Sequence, residues 1–265
     1  MKLGVMLPGT DIPEKKTLKR IVGMGLQGVQ LWTTEGRLGP DGLKGTAREN
    51  FVQFIGSHGL EITALCGQVK GSFGDEKGLD ERIEAIKKIL DLSVDLRTPI
   101  VTTHIGTIPT DRAAREYQIM MQSLKEVGRY AEDLGTCLAA ETGPESPGLM
   151  AGLIKETGTA GIKVNYDPAN IVMVAGDDPV KGVYELKDYI IHTHAKDGRK
   201  LGGNTAPAYE ELPIGQGAVK WKEYIAALKD VGYGGFLTIE RETGGTQDQF
   251  FKEIEGAAGF LRALF

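Results

Sequence analysis

Cysteine is scarce in this chain, and the spacing of the two that occur does not indicate a role. Cys66 and Cys137 are the only cysteines in 265 residues, and they do not form a CxxC pair. A disulfide framework or a thiolate metal site therefore has little support. Both residues fall in predicted strands, so we expect two reduced thiols in the core.

The chain also lacks a long apolar run and a large excess of charge of one sign. Its first residues, MKLGVMLPGT, are too short and too broken in apolar character for a signal peptide, and no stretch approaches the roughly 20 apolar residues of a membrane span. The net charge is −5, from 31 Lys and Arg against 36 Asp and Glu, which offers no general attraction to nucleic acid or to an anionic membrane. We expect a cytoplasmic protein with no nucleic-acid or membrane partner.

Short β-type runs alternate with helical patterns along the whole chain. Ile83, Ile86, Leu90 and Val94 recur at helical spacing, whereas the strand runs are nearly continuous in apolar character or alternate. The predicted strands are KLGVML, GVQLWT, EITALCG, PIVTTHIG, CLAAETG, GIKVNYDP, YIIHTHAKD and GFLTIERE. The predicted helices span Pro13–Met24, Arg48–His58, Leu79–Leu96, Asp111–Leu134, Pro147–Thr157, Pro179–Asp188, Lys220–Val231 and Gln247–Leu264.

Glycine stands before several of these strands, where a helix has to stop. The residue after a helix often adopts a left-handed backbone, which glycine tolerates best. The glycines concerned are Gly25, Gly59, Gly135, Gly158 and Gly232. Repeated βα units predict a parallel sheet, and their number favours an α/β fold of the (β/α)8 TIM-barrel type. We expect a single domain over residues 1–265, since no linker or low-complexity tract divides the chain.

Four ionisable residues stand at the ends of four different predicted strands: Glu141, Asp167, His194 and Glu240. In a TIM barrel the strand C-termini emerge on one face, so these residues are predicted to converge. Buried carboxylates are costly unless they have partners or a cation. Three carboxylates and one imidazole suit a divalent ion that favours oxygen. The alternative is that each residue is a strand-end cap or part of a surface salt bridge.

The motifs around these residues resemble one known family. They are ETG at Glu141, DPAN at Asp167, HTHAKDG around His194, the GxG of LPIGQGAVKW, and TIERE at Glu240. Together they resemble the xylose isomerase-like TIM-barrel superfamily, in its sugar phosphate isomerase/epimerase branch, over essentially the whole chain. The resemblance implies that these four residues bind one divalent metal ion, commonly Mn²⁺, Mg²⁺ or Co²⁺, with Zn²⁺ as a further option.

The chemistry explains the use of such a site. A cation chelated by a carbonyl and an adjacent hydroxyl lowers the cost of an enediolate, which makes proton removal from the neighbouring carbon feasible. Resemblance to ketose 3-epimerases implies that Glu141 and Glu240 form the proton-transfer pair. The function predicted on this basis is a divalent-metal-dependent isomerase or epimerase. Its substrate would be a ketose, a keto-inositol or a related polyol, with or without a phosphate.

Two alternatives stay open. A lyase of the same superfamily, resembling inosose dehydratases or enzymes that eliminate from 3-keto-glycosides, would use the same enediolate to expel a substituent. A non-catalytic sugar-binding barrel would keep the metal only for shape or ligand capture. The sequence also leaves the oligomeric state open, although the C-terminal FLRALF segment is a candidate contact in a homo-oligomer.

The sequence departs from the epimerase pattern at Asn170, where related epimerases and dehydratases carry a histidine three residues after the metal aspartate. Asparagine can bond a sugar hydroxyl but cannot shuttle a proton at neutral pH, so we predict that Asn170 orients substrate. His104, at the end of the fourth predicted strand, is a candidate for the missing imidazole. Its alternative role is a neutral ring bonded to a loop carbonyl.

Other candidate substrate contacts lie at strand ends. Lys196 is predicted to bind a phosphate or polarise a carbonyl, and Arg241 flanks the last ligand. Trp32 and Glu35 end the second strand and are predicted to offer an aromatic face and a hydroxyl acceptor to a sugar. Each of these residues could also be an ordinary rim or packing residue. His192 lies two positions before His194 and suits a hydrogen bond behind the metal better than ligation.

Two other functions are disfavoured. Gly23, Gly25 and Gly28 match GxGxxG, but a helix precedes them and a strand follows, which reverses the order of a dinucleotide-binding motif. AP endonucleases share this barrel, but they use additional histidine ligands for a trinuclear zinc cluster, and this chain lacks those motifs. We therefore predict neither nucleotide binding nor phosphodiesterase activity.

Overall fold

Eight parallel strands close into a barrel in which every strand pairs with two neighbours. The structure, a computed structural model, describes residues 1–202, 208–242 and 245–265. The barrel strands are β1 (Lys2–Met6), β2 (Gly28–Trp32), β3 (Glu61–Cys66), β4 (Ile100–Thr103), β5 (Cys137–Glu141), β6 (Ile162–Tyr166), β7 (Ile190–Ala195) and β10 (Phe236–Ile239). The two strands between β7 and β10 in sequence, β8 (Asp197–Lys200) and β9 (Tyr209–Leu212), form a separate antiparallel hairpin.

Helices connect the strands. They are α1 (Lys15–Gly23), α2 (Thr46–Gly56), α3 (Leu79–Asp95), α4 (Arg115–Asp133), α5 (Pro147–Thr157), the single turn α6 (Pro168–Asn170), α7 (Pro179–Leu186), α8 (Trp221–Asp230) and α9 (Gln247–Arg262). A short 3-10 turn covers Gly36–Leu38, and a π-helical turn covers Ile171–Ala175. Along these elements the buried aliphatic residues form one continuous core. Among the described residues, no helix has the length and apolar character needed to cross a bilayer.

The first and last barrel strands close the sheet. Lys2 is in register with Phe236, and Val5 is in register with Ile239. On its other side β1 pairs with β2. Because all eight strands run in parallel, their C-terminal ends lie at one mouth of the barrel, where TIM barrels carry their active sites.

The prediction of a (β/α)8 barrel with a single domain is therefore confirmed. The five predicted glycine stops, at positions 25, 59, 135, 158 and 232, all have positive φ angles, between 62° and 77°. Glycine is the residue that adopts this conformation without steric cost. Helix boundaries agree to within a few residues, and the largest difference is at Asp111–Leu134, where the helix forms over Arg115–Asp133. Cys66 and Cys137 are buried free thiols, as expected.

Two features were not predicted from the sequence. The hairpin of β8 and β9 interrupts the path from β7 to α8. The turn α6 and the π-helical turn after it directly follow β6. Both features lie at the mouth of the barrel, where they adjoin the strand ends that carry the candidate site.

Asp197 anchors the hairpin and the loop that returns to α8. Its buried carboxylate accepts five hydrogen bonds of 2.8 to 3.2 Å. The donors are the backbone N–H groups of Gly198, Gly215, Gly217 and Val219 and the indole Nε1–H of Trp221. The GxG motif of LPIGQG thus has a structural explanation, because a Cβ on Gly217 would lie 2.0 Å from Asp197 Oδ1.

Replacing Asp197 with alanine is expected to destabilise the protein by about 3 kcal/mol or more, because five donors lose a charged acceptor inside the protein. Thermal and urea unfolding of Asp197→Ala would measure this loss. Asp188→Ala, at an exposed position, is the matched control and is expected to leave stability within about 0.5 kcal/mol. Equal stability of the two variants would show that the Asp197 hydrogen bonds do not hold the loop.

Candidate metal centre

Four strand ends bring four ionisable side chains together at the mouth of the barrel. Glu141 is the last residue of β5, His194 lies in β7, and Asp167 and Glu240 directly follow β6 and β10. One potential ligand atom from each residue lies within 4.8 Å of the other three, and all four residues are buried. We call these four residues the ligand cluster.

The ring of His194 is oriented by hydrogen bonds on both nitrogens. Its Nδ1 lies 3.3 Å from Glu141 Oε1 and 3.1 Å from Glu240 Oε2. Its Nε2 lies 2.9 Å from the amide oxygen of Gln30. An amide oxygen only accepts hydrogen bonds, so Nε2 carries a proton, and in the neutral ring the lone pair of Nδ1 faces the two carboxylates. A hydrogen bond donated by the ring nitrogen that does not face the ligand site is typical of metal-ligating histidines.

Gln30 is itself held in place and was not singled out from the sequence. It is fully buried in β2, and its Nε2 donates to Thr102 Oγ1 at 2.8 Å. A polar residue inside the otherwise apolar run GVQLW was the available signal. Gln30 therefore connects the β2 side of the barrel interior to the ligand cluster on the opposite strands.

Asp167 presents one bonded and one unpaired carboxylate oxygen. Oδ1 accepts hydrogen bonds from the backbone N–H groups of Ala169 at 2.7 Å and Asn170 at 3.1 Å. Oδ2 is buried and has no hydrogen-bond partner among the described residues. Leaving a carboxylate oxygen desolvated and unpaired is costly. Because Asp167 belongs to the ligand cluster, this oxygen is a candidate ligand atom for a cation.

Glu141 is positioned by two asparagines. Asn170 Nδ2 donates to Glu141 Oε1 at 3.2 Å and to the carbonyl oxygen of Thr142 at 3.1 Å. Asn165 Nδ2 donates to Glu141 Oε2 at 3.2 Å. Asn170 thus orients a carboxylate of the cluster, in addition to any contact with substrate. The side chain of Thr142 bonds both the backbone N–H and the carbonyl of Asp167, which fixes the start of α6.

His192 lies behind the ligand cluster. Its Nδ1 bonds Asn165 Oδ1 at 2.8 Å and its Nε2 bonds Thr238 Oγ1 at 2.9 Å. Burial, with the neighbouring His194, lowers the pKa of His192 well below its usual value. The ring is therefore neutral and acts through Asn165, which matches the predicted role behind the metal.

Lys196 supplies positive charge next to the cluster. Its buried Nζ lies 3.1 Å from Glu240 Oε2, 2.5 Å from Glu242 Oε2 and 4.0 Å from Asp167 Oδ2. Burial opposes its charge, but Glu240 and Asp167 outweigh this effect and raise the pKa of Lys196. Lys196 is therefore charged and paired at least twice, which makes it a fixed cation of the site.

The acidic residues of the cluster have pKa values that are shifted in opposite directions. Burial raises the pKa of Asp167 to about 7, against the opposing effect of Lys196. Burial also disfavours ionisation of Glu240, but His194 and Lys196 outweigh it and lower its pKa. For His194, burial is outweighed by Glu240 and Glu141, which raise its pKa well above the usual value. In the absence of a metal, His194 and Lys196 thus carry the charge that balances the carboxylates.

The donor set fits a divalent cation. It contains three carboxylates, an imidazole ring held in orientation by Gln30, and an oxygen of Asp167 that accepts no hydrogen bond from the described residues. Mixed oxygen and nitrogen donors of this kind suit Mg²⁺, Mn²⁺ and Co²⁺. A cation there would replace the proton on Nδ1 of His194, because a ligating imidazole must be neutral.

A cavity of about 760 Å³ opens beside the cluster, between the ends of β1, β2 and β10 and the start of α9. Glu240 forms part of its wall, and so do Trp32 and Arg241. Arg241 is engaged elsewhere, since its Nη1 lies 2.7 Å from Glu211 Oε1 and its Nε lies 2.5 Å from Glu253 Oε2. It therefore ties the hairpin to α9, and the predicted contact with substrate would be additional to these ion pairs.

The remaining predicted contacts lie at different distances from the cluster. His104 is about half exposed on the β4 side, with its Nε2 3.9 Å from Glu141 Oε1. This places an imidazole at the wall opposite the cavity, as the sequence suggested. Glu35 is exposed and is not among the residues that line the cavity. The structure therefore brings Trp32, Lys196, Asn170 and His104 to the site, but it does not bring Glu35 there.

Comparison with known families agrees with the fold and the motifs. Residues 18–264 match the xylose isomerase-like TIM barrel family, so the chain belongs to this family. Among curated proteins, the uncharacterised protein MJ1311 of Methanocaldococcus jannaschii is 26% identical over 173 residues, which are 60% of this chain and 56% of that protein. The uncharacterised protein YfiH of Bacillus subtilis is 30% identical over 98 residues, or 31% of each chain. This chain thus matches about half of one relative and a third of the other.

Solved structures share the whole barrel. A xylose isomerase domain protein from Planctomyces limnophilus superposes with a TM-score of 0.87 at 21% identity, over 99% of this chain and 96% of that one. D-psicose 3-epimerase with D-tagatose from Clostridium cellulolyticum H10 superposes with a TM-score of 0.77 at 15% identity, over 100% of this chain and 99% of that one. The probable 3-DHS dehydratase of Bacillus anthracis gives 0.76 at 18% identity, over 99% of each chain. Epimerases and a dehydratase are thus built on this fold.

The orientation of His194 by Gln30 predicts a loss of metal affinity in Gln30→Met. Methionine has a similar volume but cannot accept the proton of Nε2, so we expect affinity for Mn²⁺ to fall roughly 10- to 100-fold. Isothermal titration calorimetry would measure it. Gln53→Met, at an exposed position of α2, is the control. Wild-type affinity in Gln30→Met would show that this hydrogen bond does not prepare the ligand.

Asp167→Asn is expected to separate metal binding from stability. In EDTA at pH 8, which is above the raised pKa of Asp167, the variant removes a buried negative charge. Its free energy of unfolding should therefore exceed that of the wild type by about 1 kcal/mol or more, and it should unfold at a higher temperature. Addition of Mn²⁺ should raise the unfolding temperature of the wild type and of the exposed-site control Asp188→Asn, but not that of Asp167→Asn. An equal metal-induced shift in all three proteins would remove Asp167 from the ligand set.

Proposed function

We propose that this protein is a divalent-metal-dependent isomerase or epimerase that acts on a ketose, a keto-inositol or a related polyol. The observation that carries the proposal is the ligand cluster, in which three carboxylates and one oriented imidazole surround a single point at the mouth of the barrel. Family membership supports it, since epimerases with this fold include one solved with D-tagatose.

Glu141, Asp167, His194 and Glu240 are the residues that would hold the metal. When bound, a divalent ion acts as a Lewis acid that polarises a carbonyl and stabilises the negative charge that develops beside it. Oδ2 of Asp167 has no hydrogen-bond partner among the described residues, and Nδ1 of His194 faces the carboxylates of Glu141 and Glu240. We therefore assign these two residues to metal binding alone.

Glu141 and Glu240 have a second role in the proposal. They project from β5 and from the end of β10, and both contact the same nitrogen of His194 from different sides of the mouth. A substrate carbon between them would lose its proton to one carboxylate, giving an enediolate. The other carboxylate, after taking a proton from solvent, would return a proton to the same carbon on the opposite face. A carboxylate next to a cation is a weak base, so the scheme requires a substrate proton made acidic by the adjacent carbonyl.

Other residues position these groups. Asn170 holds Glu141 through its amide, which explains why an asparagine can stand where related enzymes carry histidine. Lys196 holds Glu240 at 3.1 Å and lies near enough to bond a substrate oxygen as well. His104, half exposed on the far wall, is available to donate a hydrogen bond to a substrate hydroxyl.

The test is hydrogen exchange at carbon. Protein loaded with Mn²⁺ or Mg²⁺ would be incubated with a panel of ketoses, keto-inositols and 3-keto-glycosides in D2O, and the products followed by NMR and mass spectrometry. We expect deuterium in an isomer of the substrate. Glu141→Gln and Glu240→Gln should each lower the rate about 100-fold or more, and Glu255→Gln, at an exposed position of α9, should leave it unchanged.

The alternative outcomes are distinct. Loss of water or of a substituent from the substrate would move the assignment to a lyase, which shares the enediolate. Binding of a sugar without hydrogen exchange at any carbon would indicate a non-catalytic sugar-binding barrel. Metal content of each variant, measured in parallel, separates loss of the proton-transfer group from loss of the metal.

A further inference from the structure

The cavity beside the ligand cluster is larger than a single sugar requires. Its volume of about 760 Å³ falls in the upper part of the range of roughly 300 to 1,000 Å³ that is typical of sites for drug-sized ligands. Glu240 belongs both to the ligand cluster and to the cavity wall. A sugar held between Glu141 and Glu240 would therefore have open space on the Glu240 side.

One part of the wall of this cavity is apolar. Most of its apolar side chains come from the β1–α1 loop, from the end of β2 and from the first turns of α9. They include Leu7, Pro8, Ile12, Trp32, Phe250 and Phe251. Ile12, Trp32 and Phe250 are only partly buried, so they offer apolar surface to a ligand. Free sugars and polyols present hydroxyl groups on most of their surface and would leave this wall without a matching partner.

The charges around the cavity are unfavourable for a phosphate. Five of the lining residues are acidic: Asp11, Glu14, Glu240, Glu242 and Glu253. Within the described part of the chain, Arg241 is the only cationic residue of the lining, and its guanidinium already pairs with Glu211 and Glu253. Lys196, next to the wall, pairs with Glu240 and Glu242. A phosphate would therefore meet carboxylates in excess and cations that are already neutralised.

We propose that the substrate is an uncharged conjugate, in which the reacting sugar carries an apolar or aromatic substituent that packs in this cavity, and that phosphorylated sugars are excluded. This inference rests on the proposed function, because it places the reacting sugar at the ligand cluster. It narrows that function to glycosides and similar conjugates. Trp32 and Phe250 would supply the aromatic contacts, and Ile12 the aliphatic contact.

Binding to the Mg²⁺-loaded protein tests the inference with three probes: phenyl β-D-glucopyranoside, methyl β-D-glucopyranoside and D-glucose 6-phosphate. Calorimetry is expected to show that the phenyl glycoside binds about tenfold or more tightly than the methyl glycoside, from burial of the ring. The phosphate is expected to bind more weakly than either. Equal affinity for the two glycosides, undetectable binding of both, or tighter binding of the phosphate would overturn the inference.

Two variants locate the effect. Ile12→Trp fills the cavity and should abolish the advantage of the phenyl over the methyl glycoside, whereas Val22→Trp, at an exposed position of α1 outside the lining, should retain it. Retention of the advantage in Ile12→Trp would show that the phenyl group binds elsewhere. Hydrogen exchange in D2O is read independently. If a free ketose exchanges hydrogen but the phenyl glycoside binds no more tightly than the methyl glycoside, the proposed function holds and the role of the cavity does not. If the phenyl glycoside binds more tightly but no carbon exchanges hydrogen, the role of the cavity holds and the proposed function does not.

Discussion

The concentration of negative charge at one point of the barrel mouth is the constraint to which the surrounding structure responds. Three carboxylates, from Glu141, Asp167 and Glu240, are buried within a few ångströms of each other. Like charges held this close and away from water repel strongly. His194 and Lys196 reduce this repulsion as cations, and backbone N–H groups stabilise the carboxylate of Asp167. One oxygen of Asp167 accepts no hydrogen bond from the residues that the structure describes, and a bound cation would lower the cost of burying it.

The barrel makes this arrangement rigid. Each cluster residue is in a strand or directly after one, so the register of the closed sheet sets where its backbone lies. Below the cluster, polar side chains of several strands bond one another inside the barrel: Thr102 to Gln30, Gln30 to His194, and Asn165 to His192. A buried network of this kind is favourable only when its members are satisfied. The orientation of His194 is therefore set by the barrel interior, whereas Asp167 and Glu141 are also held by the turn α6.

The sequence predicted the barrel and the four cluster residues because both depend on local patterns: apolar strands, helical spacing, and a polar residue at a strand end. It did not predict the partners that come from distant strands, such as Gln30, since a single buried glutamine has many explanations. The hairpin of β8 and β9 was missed because its strands, DGRK and YEEL, lack an apolar run. As a consequence, the partner of Arg241 on that hairpin, Glu211, could not be foreseen either.

That hairpin is connected to the ligand cluster through a series of polar and charged contacts. Glu211, in β9, accepts hydrogen bonds from both the Arg241 side chain and the Glu242 backbone N–H. Glu242 in turn pairs with Lys196, which pairs with Glu240 of the ligand cluster. Lys196 is also adjacent to Asp197, whose five hydrogen bonds fix the hairpin and its return loop. The hairpin therefore supplies one of the two acidic partners of Arg241, and it begins at Asp197, directly after Lys196. The mouth of the barrel therefore combines paired charges with the apolar side chains of Ile12, Trp32 and Phe250 in the cavity wall.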